Sequence, residues 1–147
     1  MTGAVNDADT ADTFATASLE HVTMGDVAAF EFPGEFTVEG WASITNTATD
    51  RIVASKLTAT VRGWYVQILS NEVLQFSSVA DDGTVLWNTN TTSAVPIGTF
   101  FHFACVWNGT TDANGVKLYV NGVLEKQATA AAGTPAATSR GSSRHRS

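Results

Sequence analysis

One stretch in the C-terminal half of the chain most limits what the chain can fold into. An apolar run at Phe101–Trp107 is followed by a polar loop, a second run at Val116–Val120, the dipeptide Asn121-Gly122 and a third run that begins at Val123. Asn and Gly tolerate the positive φ that both central residues of a type I′ turn require, so the dipeptide predicts a β-hairpin. The first run is apolar at nearly every position, which is typical of a strand covered on both faces.

The rest of the chain repeats short strand patterns separated by turn residues. Segment 36–44 alternates, with apolar residues such as Phe36 and Ile44 on one face and Trp41 on the other. Further strands are predicted at 18–23, 51–56, 63–69, 72–79 and 84–87, with turns at 70–71 and 81–83. This spacing, without a sustained helical period, predicts an all-β antiparallel sandwich or barrel.

The charge of the chain is acidic and unevenly distributed. The net charge at pH 7 is −6, and all 14 acidic residues lie between Asp7 and Glu125, whereas residues 140–147 contain only basic charges. An acidic body repels phosphate backbones, so nucleic acid is not an expected partner. No segment has the roughly 20 apolar residues that cross a bilayer, so membrane insertion is not expected. Residues 1–10 lack the basic and apolar regions of a secretory signal.

Four segments, taken in order, carry a resemblance to a known family. They are Phe36–Trp41, Ile52–Lys56, Gly63–Ile68 with Val73–Phe76, and Phe101–Gly109 with Val116–Leu124. Together they resemble the laminin G-like members of the concanavalin A-like lectin/glucanase superfamily, the jelly rolls that include the pentraxins. The resemblance covers residues 18–133 and implies an antiparallel two-sheet jelly-roll sandwich. Because these positions mostly build the sheets, they indicate the fold and not an activity.

The domain organisation follows from where this resemblance ends. We expect residues 1–133 to form one jelly roll, with 1–12 as a loose lead-in, and 134–147 to form a disordered Ser/Arg-rich tail. Relatives usually continue past the hairpin with strands that close the second sheet, so the sandwich is expected to be incomplete at its C-terminal end. An uncovered sheet edge invites pairing with another chain, which predicts self-association.

The acidic residues bear on whether the chain is a glycoside hydrolase, a class that the superfamily includes. Retaining and inverting hydrolases need two carboxyl groups about 5–5.5 Å and about 6.5–9.5 Å apart, respectively. Glu35 and Glu39 fall on one strand face, but at about 3.3 Å per residue they are about 13 Å apart. We therefore predict no catalytic residues and no enzymatic activity, and interpret these acids as a solvated strand face.

Calcium is the cation that the loops favour, and no other cofactor is expected. Segment 111–115 places Asp112 and Asn114 beside the hairpin, and many relatives hold calcium at a loop rim with Asp, Asn and carbonyl oxygens. Calcium takes about six to eight oxygen ligands, so these two residues are candidate metal ligands and not a complete site. The same residue types also serve turns for backbone reasons alone, so both interpretations stay open.

Four other side chains have both a structural and a chemical interpretation. His102 lies inside an apolar strand, and the resemblance implies a structural hydrogen bond, so we expect a core histidine and not a zinc or catalytic ligand. Cys105 is the only cysteine and lies in the same strand, which predicts an inert buried thiol. Trp64 and Tyr65 are adjacent on a strand and face opposite ways, so at most one can line a sugar-binding groove, and packing is favoured for both.

The resemblance and the absence of an acid pair at catalytic spacing favour a non-catalytic binding module. Such a module would recognise carbohydrate or a protein surface as part of a larger surface or structural protein. Two alternatives stay open: a purely structural or assembly domain, such as a viral or cell-surface decoration, and a degenerate glycoside hydrolase. The resemblance implies an extracellular, virion or cell-surface location, and the sequence does not name the residues that contact the ligand.

Overall fold

The described part of the chain consists of β-strands, turns and loops in this computed structural model. It comprises residues 22, 32, 34–45, 48–57 and 62–136. No helix in these ranges is long and apolar enough to cross a membrane. Apart from Val22, the strand predicted at 18–23 lies outside the described residues. The strands are β1 (Phe36–Ala42), β2 (Arg51–Leu57), β3 (Gly63–Ile68), β4 (Leu74–Val79), β5 (Val85–Asn90), β6 (Phe101–Trp107), β7 (Val116–Val120) and β8 (Val123–Ala128).

Within these ranges the strands form two antiparallel sheets of four strands each. The first sheet has the order β1-β6-β7-β8, and the second has the order β2-β3-β4-β5. Each neighbouring pair in both sheets is antiparallel. Buried residues from both sheets form one hydrophobic cluster, so the sheets pack face to face. The predicted all-β, antiparallel jelly-roll sandwich is confirmed.

Aromatic side chains hold the two sheets together around Phe36 of β1. The Phe36 ring centroid lies 5.8 Å from that of Trp64 and 5.9 Å from that of Phe76 in the second sheet. The rings of Trp87 in the second sheet and Trp107 in the first are 4.9 Å apart. Aromatic pairs at such distances add about 0.5–1.5 kcal/mol each beyond the burial of their surface. This cluster fixes how the two outer faces are placed relative to each other.

The predicted Asn-Gly turn joins β7 to β8. Asn121 has a φ of 50° and Gly122 a φ of 77°, so both are positive, as a type I′ turn requires. The Asn121 side-chain oxygen accepts a hydrogen bond from the His102 N–H at 2.9 Å. The Asn121 N–H donates to the His102 carbonyl at 2.8 Å. The turn is thus tied to the start of β6, and the predicted hairpin is confirmed.

Strand β6 lies between β1 and β7, and its burial alternates along the chain. Its odd-numbered residues, from Phe101 to Trp107, are buried in the core. Its even-numbered residues, His102, Ala104 and Val106, are half-buried on the outer face. The prediction that both faces of this strand are covered is therefore wrong for the outer face, which neighbouring side chains shelter only in part.

The inner face of the second sheet carries a row of polar atoms without partners. Trp64, Ser78 and Trp87 lie opposite one another on β3, β4 and β5. Their relative exposures are 8%, 0% and 3%. Within the described residues, the two indole Nε1 atoms and Ser78 Oγ have no hydrogen-bond partner. Because a buried polar group without a partner costs about 1–3 kcal/mol, this row is a weak point of the core.

After β8 the chain crosses to the edge of the second sheet. The Ala131 N–H donates to the Leu86 carbonyl at 2.7 Å, and the Ala136 N–H donates to the Val79 carbonyl at 3.1 Å. These two bonds hold the chain against the sandwich as far as Ala136. Ala136 lies past the domain boundary predicted at residue 133. Residues 137–147 of the predicted tail lie outside the described residues.

Strands β1 and β8 form the edges of the first sheet as it is described, and β2 and β5 those of the second. Thr92, in the loop after β5, contacts β8, where its Oγ1 lies 3.0 Å from the Glu125 carbonyl oxygen and 3.1 Å from Glu125 Oε2. The self-association predicted from an uncovered edge stays a prediction.

Candidate functional site

The outer face of the second sheet carries neutral side chains, mostly polar, and we call it the amide face. The registers of the three strand pairs align two polar rows of this face across the four strands, beside a third row, Leu57–Gly63–Val79–Val85. Because side chains alternate along a strand, both rows lie on the side opposite the core. The rows are Ile52–Gln67–Gln75–Asn90 and Ser55–Tyr65–Ser77–Asn88.

Amide hydrogen bonds connect three side chains of the first row. Gln67 Nε2 donates to Gln75 Oε1 at 2.6 Å, and Gln75 Nε2 donates to Asn90 Oδ1 at 2.9 Å. Gln75 is only 8% exposed, whereas Gln67 and Asn90 are half-buried. An amide offers two N–H donors and a carbonyl acceptor. These two bonds therefore do not use the Gln67 carbonyl oxygen, at one end of the bonded row, or the Asn90 nitrogen, at the other. The central glutamine holds the outer two amides in place.

In the second row, Tyr65 and Asn88 flank Ser77. Ser77 is 2% exposed, and its Oγ donates to the Trp87 carbonyl at 3.2 Å. This hydroxyl therefore stabilises the pairing of β4 with β5. Tyr65 is half-buried and Asn88 is exposed. Trp64, next to Tyr65, is buried in the core, which confirms that the adjacent aromatic residues face opposite ways. Tyr65 is therefore the one of the two that lies on an outer face.

The outer face of the first sheet is different in character, and we call it the aromatic face. It combines aromatic and aliphatic side chains with charges of both signs. Its rows are Thr37–Val106–Lys117–Gln127, Glu39–Ala104–Tyr119–Leu124 and the pair Trp41–His102. Trp41 is 53% exposed and Leu124 is 44% exposed. Tryptophan is a residue type that is enriched in protein–protein interfaces, whereas Lys and Glu are depleted there.

His102 lies on this aromatic face. Its ring meets Trp41 edge-on, with centroids 5.3 Å apart, and its Nε2 lies 3.8 Å from Glu39 Oε2. The expectation of a core histidine is wrong, because the even-numbered positions of β6 face outward. The backbone of His102, in contrast, makes the structural hydrogen bonds with Asn121.

The candidate calcium ligands lie in the loop between β6 and β7. Asp112 Oδ2 accepts a hydrogen bond from Thr110 Oγ1 at 2.9 Å, and Asn108 Oδ1 accepts from the same hydroxyl at 2.9 Å. Asn114 is exposed. In the part of the chain that the structure describes, no group of three or more His, Cys, Asp and Glu residues could hold a metal ion. The bonds of Asp112 stabilise the loop itself, and calcium binding by Asp112 and Asn114 stays a prediction.

The two glutamates considered for catalysis have separate surroundings. A Cβ on Gly109 would lie 3.3 Å from Glu35 Oε2, which places this carboxylate beside the loop after β6. Glu39 instead lies near His102. Cys105 in the neighbouring strand is fully buried, and this burial raises the pKa of its thiol, as expected for an inert cysteine.

A shallow hollow of about 250 Å³ opens beside β1. It is lined by Phe32, Thr37, Val38, Glu39 and Trp64. Among the described residues Glu39 is the single acid in this lining, and glycoside hydrolysis requires a pair.

The connected amide row is the feature that sequence patterns alone did not reveal. Its signal is nevertheless present, since Gln67, Gln75 and Asn90 each occupy an outward position on one of three consecutive strands. Which of them meet depends on strand register, and the turns at 69–73 and 80–84 set that register.

Comparison with known proteins gives a match over most of the chain. Residues 16–144 match a laminin G family model described as concanavalin A-like lectin/glucanases superfamily. This match includes every strand from β1 to β8. No curated protein matches the chain.

Proposed function

The chain belongs to the concanavalin A-like lectin/glucanases superfamily, and we propose that it is a non-catalytic module that binds carbohydrate through the amide face. The hydrogen-bonded row of Gln67, Gln75 and Asn90 carries this proposal. Binding sites for small polar ligands rely on a few fixed polar groups, among which Asn, Gln and Tyr side chains are common.

The row supports binding because its side chains are ordered before a ligand arrives. A free glutamine side chain loses up to about 1.5–2 kcal/mol of rotamer entropy when it is fixed. At Gln67 the bond to Gln75 has already imposed part of this cost in the folded protein. A ligand that meets ordered groups therefore binds with a smaller entropic penalty.

The placement of the acids supports a non-catalytic role. Glu35 and Glu39 lie beside different elements, near Gly109 and His102 respectively. Neither belongs to the two rows of the amide face. A sugar bound on that face would therefore meet the amides and Tyr65 without a flanking pair of carboxylates.

Calcium enters this proposal as a separate requirement that one experiment can test. Asp112 and Asn114 lie in the loop that joins β6 to β7 of the first sheet, whereas the rows of the amide face belong to the second sheet. If calcium binds there, we expect it to stabilise the loop, and its removal should leave the amide row in place.

A glycan array tests the function directly. The full chain is applied in calcium and again in chelator, beside Gln67→Ala and the control Thr37→Ala on the aromatic face. We expect glycan binding by the unmodified chain and by Thr37→Ala in both solutions, and weakened binding by Gln67→Ala. No binding to any glycan in either solution would contradict the proposal.

An assembly domain is the second candidate, and the exposed Trp41 and Leu124 of the aromatic face favour it. A domain of this kind would bury these side chains against another protein. Light scattering over a range of concentrations checks for self-association, the simplest form of such assembly. A mass that stays at one chain would count against self-association through this face or through an uncovered edge.

A further inference from the structure

We infer that the amide face takes a neutral, linear oligosaccharide of about three sugar units, which lies across the strands along the row Ile52–Gln67–Gln75–Asn90. This inference rests on the proposed carbohydrate-binding function and specifies the class, length and direction of the ligand. It is carried by the spacing of the row, by its lack of charge and by the groups at its ends.

The spacing of the row sets the direction and the length. Neighbouring strands are about 4.7–4.9 Å apart, so the row presents one side chain at each such step. A chain of pyranose rings linked through opposite ring positions repeats at a similar distance, about one ring for each strand step. The three steps from β2 to β5 span about 14 Å, which accommodates three rings. A fourth ring would extend beyond the row.

The composition of the face selects a neutral ligand. None of the residues in the two rows is charged. A carboxylate or sulfate placed on this face would lose part of its hydration without gaining an ion pair, which is unfavourable. The net charge of −6 adds a repulsion that any acidic glycan must overcome. Uncharged hydroxyl groups, in contrast, both donate to and accept from amides.

The groups at the ends of the row define what each end of the ligand meets. At β5 the Asn90 nitrogen is a donor, and at β3 the Gln67 carbonyl oxygen is an acceptor. Beyond Gln67, the Ile52 side chain is 57% exposed and offers an apolar contact to the C–H groups of a ring. Gln75 is a positioning residue, because it is largely buried and acts through the two amides that it holds.

The test uses linear oligosaccharides of one to five units and measures affinity by titration calorimetry with the full chain. The probes are glucose, galactose and mannose oligomers, each paired with the corresponding uronic acid oligomer. We expect affinity for at least one neutral series to rise up to three units and then change less than about twofold. The matching uronic acid trimer should bind at least about tenfold more weakly.

The variants Gln67→Ala and Asn90→Ala locate the ligand. Each should weaken trimer binding about tenfold, whereas Thr37→Ala on the aromatic face should bind as the unmodified chain does. Gln67→Glu is the second variant at this position, since it keeps the shape of the side chain and adds a charge. Because a carboxylate has no N–H to donate to Gln75 Oε1, this variant should melt at a slightly lower temperature and also lose affinity.

The outcomes separate the inference from the function on which it rests. A preference for uronic acids, or an affinity that keeps rising beyond three units, would overturn the inference and leave the function standing. Neutral glycan binding that persists in both alanine variants would overturn the amide face as the binding site, and with it both proposals. If no oligosaccharide and no array glycan binds, both are overturned.

Discussion

The two sheets of the sandwich place their polar side chains differently. The centre of the inner face of the first sheet is apolar, where Phe103, Cys105 and Leu118 are buried, whereas Glu39 and Lys117 lie on the outer aromatic face. The second sheet carries polar groups on both faces. Its outer row, centred on Gln75, is hydrogen-bonded, whereas the inner row, centred on Ser78, is without partners among the described residues.

This difference shows that hydrogen bonding, and not polarity alone, distinguishes the two faces of the second sheet. Gln67 and Asn90 are only half-buried and could also be satisfied by water, so each bond to Gln75 adds only about 0.5–1.5 kcal/mol to stability. Their order is instead useful for recognition, since it lowers the entropic cost of binding. The inner row offers no such use, and its unpartnered atoms only reduce the stability of the core.

The substitution Cys105→Ser would give the inner face of the first sheet a hydroxyl group like that of Ser78. Cys105 is fully buried and behaves as a small hydrophobic residue. A hydroxyl without a partner there should lower the free energy of unfolding by about 1–3 kcal/mol, measured by urea denaturation. Cys105→Ala, which adds no polar atom, should cost less. An equal cost for the two variants would show that the first sheet tolerates polar groups as the second does.

Replacing Gln75 with Leu, a side chain of similar size, removes both hydrogen bonds of the outer row. Each bond contributes about 0.5–1.5 kcal/mol, and we expect a loss of about 1–2 kcal/mol in the free energy of unfolding. Gln127→Leu makes the same exchange at an exposed position of the aromatic face and should change stability by less than about 0.5 kcal/mol. Similar effects at both positions would mean that the amide row is not held by these bonds.

Two adjacent serines of β4 compare the outer and inner faces of the second sheet directly. Ser77 Oγ donates to the Trp87 carbonyl, so Ser77→Ala should lower the free energy of unfolding by about 1 kcal/mol. Ser78 Oγ has no partner among the described residues, so Ser78→Ala should leave stability unchanged or raise it by up to about 1 kcal/mol. Thermal unfolding of both variants checks the sign. A loss at Ser78 equal to that at Ser77 would show that its hydroxyl is bonded after all.

The smallest effect is expected on the aromatic face, at Glu39. Its carboxylate is mostly exposed and lies 3.8 Å from His102 Nε2, a distance typical of a loose surface pair. Glu39→Gln should therefore change the free energy of unfolding by less than about 0.5 kcal/mol, in low and in high salt. A larger, salt-dependent loss would assign this face a stabilising ion pair and remove the contrast with the amide face.

The fold could be predicted from the sequence because local signals agreed with one another. The Asn121-Gly122 dipeptide predicted the hairpin, and the alternation of segment 36–44 correctly separated buried Phe36 from exposed Trp41. Both patterns extend over only a few residues of sequence, so they can be interpreted without knowledge of the tertiary structure.

The candidate site could not be predicted because it depends on register between strands. Gln67 and Asn90 are far apart in sequence and meet through Gln75 only when β3, β4 and β5 are aligned as they are. The irregularity of register after Ser78 takes part in that alignment, and nothing in the composition of β4 marks it. The prediction of a core position for His102 is wrong for a related reason. Its neighbours in β6 are apolar on both sides, so the sequence does not indicate which face of the strand points outward.

The Asn121-Gly122 turn also bears on how the protein ages. In an Asn-Gly dipeptide the backbone nitrogen of the glycine can attack the side-chain carbonyl carbon of the asparagine, which forms a cyclic imide and releases ammonia. Water then opens the imide to give aspartate or isoaspartate. In the folded chain the Asn121 side-chain oxygen is held by the His102 N–H, and this restrains the rotation that the attack needs. We therefore expect Asn121 to deamidate more slowly in the folded chain than in the unfolded chain, because the hydrogen bond that anchors the hairpin is lost on unfolding.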